Sequence, residues 1–376
     1  MQQASSLSDD AAKPPASDEL EVTVIGPGFG EAILVHVGQG KWFIVDSCAA
    51  STSSDPEPLR YLESIGVSPT QVFAIFITHW DDDHCKGMAK VVESCSQAKL
   101  IMSKAFVEKD FLAYTAAFNT PMTSKVRAGV REIRKIVKIM GDSGRPITAA
   151  GAERRVFNSM GLGLSQFTDF EIWTFSPSDE EHENFLAWVA SQMPRPDETR
   201  RVAVKRLRND LSVVIYARFG DDVILLGGDL EEEGKSTTGW SAILALQGRP
   251  DAKAGLFKVP HHGSVTGHHD ELAAILLIDN PIAIVAPFKN GSVSLPNEDD
   301  IQRICAFAGS AHSTVSLQGR SSIKHDRTVQ KTIDQVARRF STVRNEPGMV
   351  RARKKVDSKE WSIEYFGGAS PLARIL

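Results

Sequence analysis

Six consecutive residues, Val72-Phe73-Ala74-Ile75-Phe76-Ile77, are apolar, so both faces of the strand they form must be covered. Such a strand belongs inside a sheet with a layer on either side. Directly after it stand Thr78-His79-Trp80-Asp81-Asp82-Asp83-His84, a concentration of imidazole and carboxylate that a covered strand end would hold rigidly. Taken alone, these residues also fit an acidic helix-capping loop. Two later runs repeat the arrangement: Val223 to Leu226 leads into Gly227-Gly228-Asp229, and Leu256 to Pro260 leads into His261-His262-Gly263-Ser264. Three groups of ligand-type residues at three strand ends point to divalent metal.

The surrounding pattern is that of a layered α/β sandwich. Short runs at Glu21 to Ile25, Glu31 to Val35 and Lys41 to Asp46, separated by glycine turns, predict an antiparallel meander. Helical spacing follows at Pro58 to Ile65 and Met88 to Ser94, with a strand at Lys99 to Met102. Residues from about 108 to 208 read as a mostly helical, basic insert interrupted by one strand starting at Phe170. Strands resume at Leu211 to Arg218, Val223 to Leu226, Leu256 to Val259 and Ile282 to Ala286, and the basic tail ends in a strand at Trp361 to Tyr365. Sheet, helix, sheet, helix predicts two sheets between helical layers. Residues 1–20, rich in Ser, Ala, Asp and Pro, are expected to be a disordered lead-in.

Composition removes several classes. The 376 residues carry 43 Lys plus Arg against 47 Asp plus Glu, a near-neutral balance without the apolar runs that a membrane helix requires. Cys48, Cys85, Cys95 and Cys305 form no CxxC pair, so buried free thiols and a reducing, cytoplasmic location are expected.

The order His-x-Asp-x-Asp-His, Gly-Asp, then Lys-Val-x-His-His-Gly-Ser resembles the metallo-β-lactamase fold, and particularly the ComEC-type hydrolase domain of DNA-uptake competence proteins. Gly28-Phe29-Gly30-Glu31-Ala32, Phe43-Ile44-Val45-Asp46 and Asn209-Asp210-Leu211-Ser212 are similar to further motifs of that group. The resemblance spans about 21–102 and 208–296. It implies a four-layer αββα sandwich over 21–318, enlarged by the insert and followed by a basic extension, 319–376, packing on the core.

Carried onto this chain, the resemblance implies two divalent ions, Zn²⁺ or Mn²⁺, clamping a hydroxide nucleophile. His79 and Asp81 would serve one ion; Asp83, His84 and His261 would serve the other, with Asp229 bridging and Asp46 supporting the loop. Asp83, His262 and Lys258 are the candidate catalytic residues, the last two for stabilising charge or protonating a leaving group. The chain departs from the family in three places. Asp81 stands where many members have His, and no additional histidine precedes Gly-Asp, which leaves Asn209 or Ser212 in that region and His182 as surface. Leu295-Pro296 replaces a closing His-Pro.

Basic runs at Lys125, Arg127, Arg131, Arg134, Lys135 and Lys138, at Arg200 to Arg208, and at Arg351 to Lys355 are candidates for tracking phosphates, including a nucleic-acid backbone. The resulting expectation is a metal-dependent phosphodiesterase or nuclease. Two alternatives stand beside it: a small-molecule hydrolase acting on a lactone, thioester or cyclic nucleotide, and a metal-binding pseudoenzyme or sensor.

Overall fold

The computed structural model describes residues 12–26, 30–49, 55–117, 128–159, 162, 164, 169–193, 209–317 and 348–372. Along the chain the first strands are β1 (Glu19–Gly26), β2 (Ala32–His36), β3 (Trp42–Val45), β4 (Val72–Ile77), β5 (Lys99–Ser103) and β6 (Ile147–Ala150). Next come β7 (Arg154–Asn158), β8 (Phe170–Thr174), β9 (Ile215–Phe219), β10 (Asp222–Leu226), β11 (Ala254–Lys258) and β12 (Leu277–Val285). The last are β13 (Phe288–Asn290), β14 (Val293–Leu295), β15 (Ser310–Ser313), β16 (Gly348–Lys355), β17 (Ser362–Phe366) and β18 (Ser370–Pro371). They form one eight-stranded sheet in the order β17-β16-β1-β2-β3-β4-β5-β6, a second in the order β18-β15-β12-β11-β10-β9-β8-β7, and the separate hairpin β13-β14.

Side-chain alternation explains the layers. On β3, Trp42 and Ile44 point to one core while Phe43 and Val45 point to another; on β10, Ile224 and Leu226 share that second core with Phe43, whereas Val223 and Leu225 join a third. The second core lies between the sheets. The first is closed by α1 (Glu57–Ser64), α3 (Met88–Ser94), α4 (Lys109–Ala117), α5 (Ala128–Ser143) and α6 (Asp179–Gln192), with the one-turn α2 (Asp82–Cys85) beside it. The third lies under α7 (Gly239–Ala245), α8 (Leu272–Leu276) and α9 (Glu298–Phe307). This is the four-layer αββα sandwich. Among the described residues no helix is long and apolar enough to cross a membrane, and all four cysteines are buried and free.

The boundaries differ from the sequence expectation. The stretch expected as a helical insert holds three core strands: β6 completes the first sheet beside β5, and β7 and β8 extend the second beside β9. β8 is the strand expected from Phe170, whereas β6 and β7 are short, half-exposed edge strands that hydrophobic periodicity does not reveal. The expected C-terminal extension is likewise part of both sheets, since β16 pairs with β1 over eight residues and β18 pairs with β15. Strand β1 begins at Glu19, inside the expected lead-in, while residues 1–11 lie outside the described residues.

Three basic residues of the run on β16 have partners within the fold. Arg351, fully buried, bonds Glu364 at 2.8 Å and covers the Phe366 ring at 4.6 Å; Arg353 bonds Glu21 at 2.7 Å, and Lys354 bonds Asp222 at 2.5 Å. On α5, Lys135 and Lys138 pair with Glu132 and Asp142 of the same helix, and Lys125, Arg127 and Arg200 to Arg208 lie outside the described residues.

His36 on β2 gives this sandwich a defined acid sensitivity. Its Nε2 accepts from Gly40 N at 3.1 Å while Nδ1 donates to the Glu19 carbonyl at 2.8 Å, a pairing that only the neutral ring can make. Burial, the largest influence, pushes its pKa from 6.5 to about 4. The unfolded chain therefore binds more protons between these values, so stability falls as pH drops from above 6.5 toward 4. Urea denaturation at pH 7.5 and pH 5 should differ by about 2 kcal/mol more for wild type than for His36→Gln. Equal slopes for the two proteins would exclude His36 as the cause.

Candidate metal centre

All the candidate ligands sit at C-terminal ends of parallel strands, where the chain leaves the sheet and side chains are held by the ladder behind them. In the first sheet, β3 and β4 run parallel and end side by side, so Asp46 meets Thr78. The Asp46 carboxylate accepts from Thr78 N at 2.8 Å, from Thr78 Oγ1 at 2.6 Å and from His84 Nδ1 at 2.8 Å. Its backbone has φ +58°, an uncommon conformation for a non-glycine residue. In the second sheet, β10 and β11 run parallel, which brings Asp229 beside the histidine pair. Gly228 has φ +52°, and a Cβ there would stand 2.5 Å from Ser212 Oγ, so only glycine permits the turn. Ser212 Oγ then accepts from Asp229 N at 2.9 Å.

The two sheets converge on one point. Asp83, His84, Asp229 and His262 each offer a ligand atom, and these four atoms lie within 4.8 Å of one another. Asp229 Oδ2 is 3.2 Å from His84 Nε2 and 3.3 Å from His262 Nε2; Asp83 Oδ2 is 3.3 Å from His262 Nε2 and 4.0 Å from His84 Nε2. Bonds of about 2.1 Å to a tetrahedral ion would separate ligand atoms by about 3.4 Å. The donor set fits such an ion with little movement.

Electrostatics favour a cation equally. Burial opposes ionisation of Asp229, but the imidazoles of His262 and His84 outweigh it and hold the carboxyl well below its usual range. Burial also opposes charge on His262, yet Asp229 and Asp83 raise it to about 10, and Asp229 and Glu31 raise His84 well above its usual value. A centre that draws protons onto buried imidazoles attracts positive charge. His79 is the exception: burial and neighbouring His84 lower it to about 3, leaving a neutral ring. His79 Nε2, His84 Nε2 and Asp229 Oδ1 are buried and make no hydrogen bond, the state expected of atoms shaped for a metal. In contrast, the Asp46, His79 and His84 group is a support, because Asp46 is already engaged by Thr78 and His84.

Several residues lie elsewhere than the sequence implies. His262, not His261, enters the four-atom group. His261 and His262 have φ of +46° and +53°, and this paired left-handed turn points the second ring inward. His261 stays on the rim, its Nδ1 2.7 Å from Thr266 Oγ1 and 3.7 Å from Glu231. Lys258 is fully buried rather than facing substrate: Nζ lies 2.5 Å from Glu31 and 3.1 Å from the Gly228 carbonyl. Asp81 is outside the four-atom group, and its carbonyl caps the turn by accepting from His84 N and Cys85 N. Asn209 is buried and accepts from Ser212 N through its carbonyl, so Ser212 and Asn209 support Asp229 from behind. His182 faces Glu108 at 3.6 Å, on α6. Leu295 ends the β13-β14 hairpin, whose Phe288 stacks on the His262 ring at 5.0 Å.

Glu31 is a member of the centre that the sequence did not single out. It lies buried behind both candidate ligand imidazoles, and the only signal was its place in Gly28-Phe29-Gly30-Glu31-Ala32, of which Gly28 and Phe29 are outside the described residues.

Residues 25–119 match the family model described as the metallo-beta-lactamase superfamily. Among solved structures the chain is similar to hydrolase AbOPH of the beta-lactamase superfamily, at 15% identity over 44% of this chain and 69% of that one, with TM-score 0.28. It is also similar to a HARLDQ-motif metallo-beta-lactamase of Cronobacter sakazakii, at 13% identity over 61% and 69% with TM-score 0.31. The soil-metagenome enzyme MEM-A1, a subclass B3 metallo-beta-lactamase, matches at 12% identity over 72% and 90% with TM-score 0.33. The comparison with curated proteins returns no match.

Proposed function

We propose that this chain, which carries a metallo-β-lactamase superfamily domain, is a metal-dependent hydrolase whose substrate is a phosphodiester. The observation that carries the reading is the convergence of Asp83, His84, Asp229 and His262 from two sheets on one point. A divalent ion held there, Zn²⁺ or Mn²⁺, would supply Lewis acidity and an activated water. His79 and Asp81, beside the group, are the candidates for a second ion, as the resemblance implies.

The protein's own contribution is preorganisation. His84 Nδ1 donates to Asp46 and His262 Nδ1 donates to the Ala286 carbonyl at 2.8 Å, so both rings keep the Nε2 lone pair directed at the centre. Phe288 covers one face of His262 and narrows water's access to it. His261, part-exposed on the rim, is the imidazole assigned to protonate the leaving group. The motif order and the carboxylate-rich donor set support a phosphodiester. With the β16 basic run tied into the fold, the proposal concerns the bond cleaved rather than a long polymer track. A cytoplasmic location belongs to the same proposal, supported by four buried free thiols.

Metal analysis coupled to a hydrolase screen tests this. Wild type should carry metal and cleave a chromogenic phosphodiester; His262→Ala should lose both, while His261→Ala keeps the metal and loses turnover. Metal loss in His261→Ala with retention in His262→Ala would reverse the ligand assignment. Cleavage of a lactone, thioester or cyclic nucleotide, with nucleic acid and linear phosphodiesters untouched, would move the chain to another substrate. A metal-bound protein inert on all of these would be a sensor.

A further inference from the structure

The geometry points to Glu31 and Lys258 as a positioning pair that ties the ligand-bearing segments together and sets the coordination geometry, an inference that rests on the metal centre proposed above. Both side chains are buried, at 1% and 0% exposure, so neither meets a substrate. Lys258 Nζ holds Glu31 Oε1 at 2.5 Å and the Gly228 carbonyl at 3.1 Å, one residue before ligand Asp229, whose Oδ1 is 3.8 Å away. Glu31 N donates to the carbonyl of ligand Asp83 at 3.0 Å. The Glu31 carboxylate lies 3.9 Å from His84 Nδ1 and 3.7 Å from His262 Nδ1, behind both ligand rings. A Cβ on Gly30, at φ +92°, would stand 2.5 Å from the Asp83 carbonyl, so this segment is pressed against the ligand turn.

One ion pair thus touches the Asp83-His84 turn, the Gly228-Asp229 turn and, through β11, the histidine turn. A buried pair is a poor stability device, since apolar side chains of like volume serve as well or better. Its place behind the ligands is where outer carboxylates orient metal-binding imidazoles. The ammonium also makes the inference testable by sign. A positive charge this close to Asp229 repels a cation, so if charge were its whole effect, removing it would tighten metal binding.

The experiment titrates chelator-stripped protein with Co²⁺ and reads affinity by competition with a chromophoric chelator and coordination by the visible absorption of bound Co²⁺. Lys258→Met should bind Co²⁺ about 10- to 100-fold more weakly and with an altered band shape. The Glu31→Gln/Lys258→Met double variant leaves no unpaired buried charge, which guards against misfolding; its thermal melt should remain cooperative while the weaker binding and altered bands persist. Binding by Lys258→Met or the double variant as tight as wild type or tighter, with wild-type bands, overturns the positioning role alone. Wild type that takes up no Co²⁺ overturns the metal centre and this inference together.

Discussion

Asp229→Ala should lower kcat/KM by at least about 10³-fold, about 4 kcal/mol of barrier, and strip the protein of metal. Its Oδ2 is the atom shared by both ligand imidazoles, at 3.2 Å from His84 Nε2 and 3.3 Å from His262 Nε2. Neither nearby carboxylate stands in for it, because Glu31 lies behind the rings on their Nδ1 side and Asp46 is engaged by Thr78 and His84. Asp229→Asn keeps the shape and removes the charge; it should retain some metal and still lose most turnover. Metal content by elemental analysis beside kcat/KM checks both. An Asp229→Ala protein that is metal-loaded and within tenfold of wild type would remove this residue from the centre.

The second large effect is on stability. Trp80→Ala should destabilise the fold by about 3–5 kcal/mol, the range for a buried aromatic truncated in a packed core. Trp80 is 7% exposed and its ring lies 5.7 Å from Phe106, 5.4 Å from Phe111, 5.7 Å from Phe185 and 6.2 Å from Trp188. This aromatic box is built by α4, α6 and the turn before α4, so residues outside the ligand motifs hold the ligand turn in place. Its backbone is clamped as tightly: a Cβ on Gly129 at the start of α5 would fall 1.7 Å from Trp80 O, and Asp82 Oδ1 accepts from Gly129 N at 2.6 Å. Trp80→Ala should therefore also weaken metal uptake. Urea denaturation of the metal-free protein measures the first effect; a loss below about 1 kcal/mol would mean that the box does not carry the turn.

The ligand region was legible because its residue types are rare at strand ends and recur three times in order. The doubly covered β4 was legible for the same kind of reason, six apolar residues in a row. What was hidden depends on geometry that residue identity does not carry. Which of His261 and His262 turns inward is decided by two positive φ angles, and nothing in His-His-Gly-Ser announces them. Lys258 reads as a catalytic candidate facing substrate until Glu31, from a segment more than two hundred residues earlier, is seen beside it. Strands β6 and β7 were missed because edge strands with Thr148, Arg154 and Arg155 lack the alternation that marks a half-buried strand. Arg351 and Arg353 pair with Glu364 and Glu21, partners that only the folded sheet supplies and that a run of basic residues does not announce.

The pairing of β1 with β16 has a kinetic consequence. Arg353 meets Glu21 across 332 positions, so β1, paired with β2 on one side, keeps its other edge open until residues 348–355 have been made. Contacts of such separation form late, after the loop-closure entropy of the intervening chain has been overcome. The ligands come from both sheets, and the first sheet is incomplete until β16 docks. The edge of the first sheet is thus closed only after every ligand-bearing segment has been made, since residues 348–355 follow Asp83, His84, Asp229 and His262 in the chain.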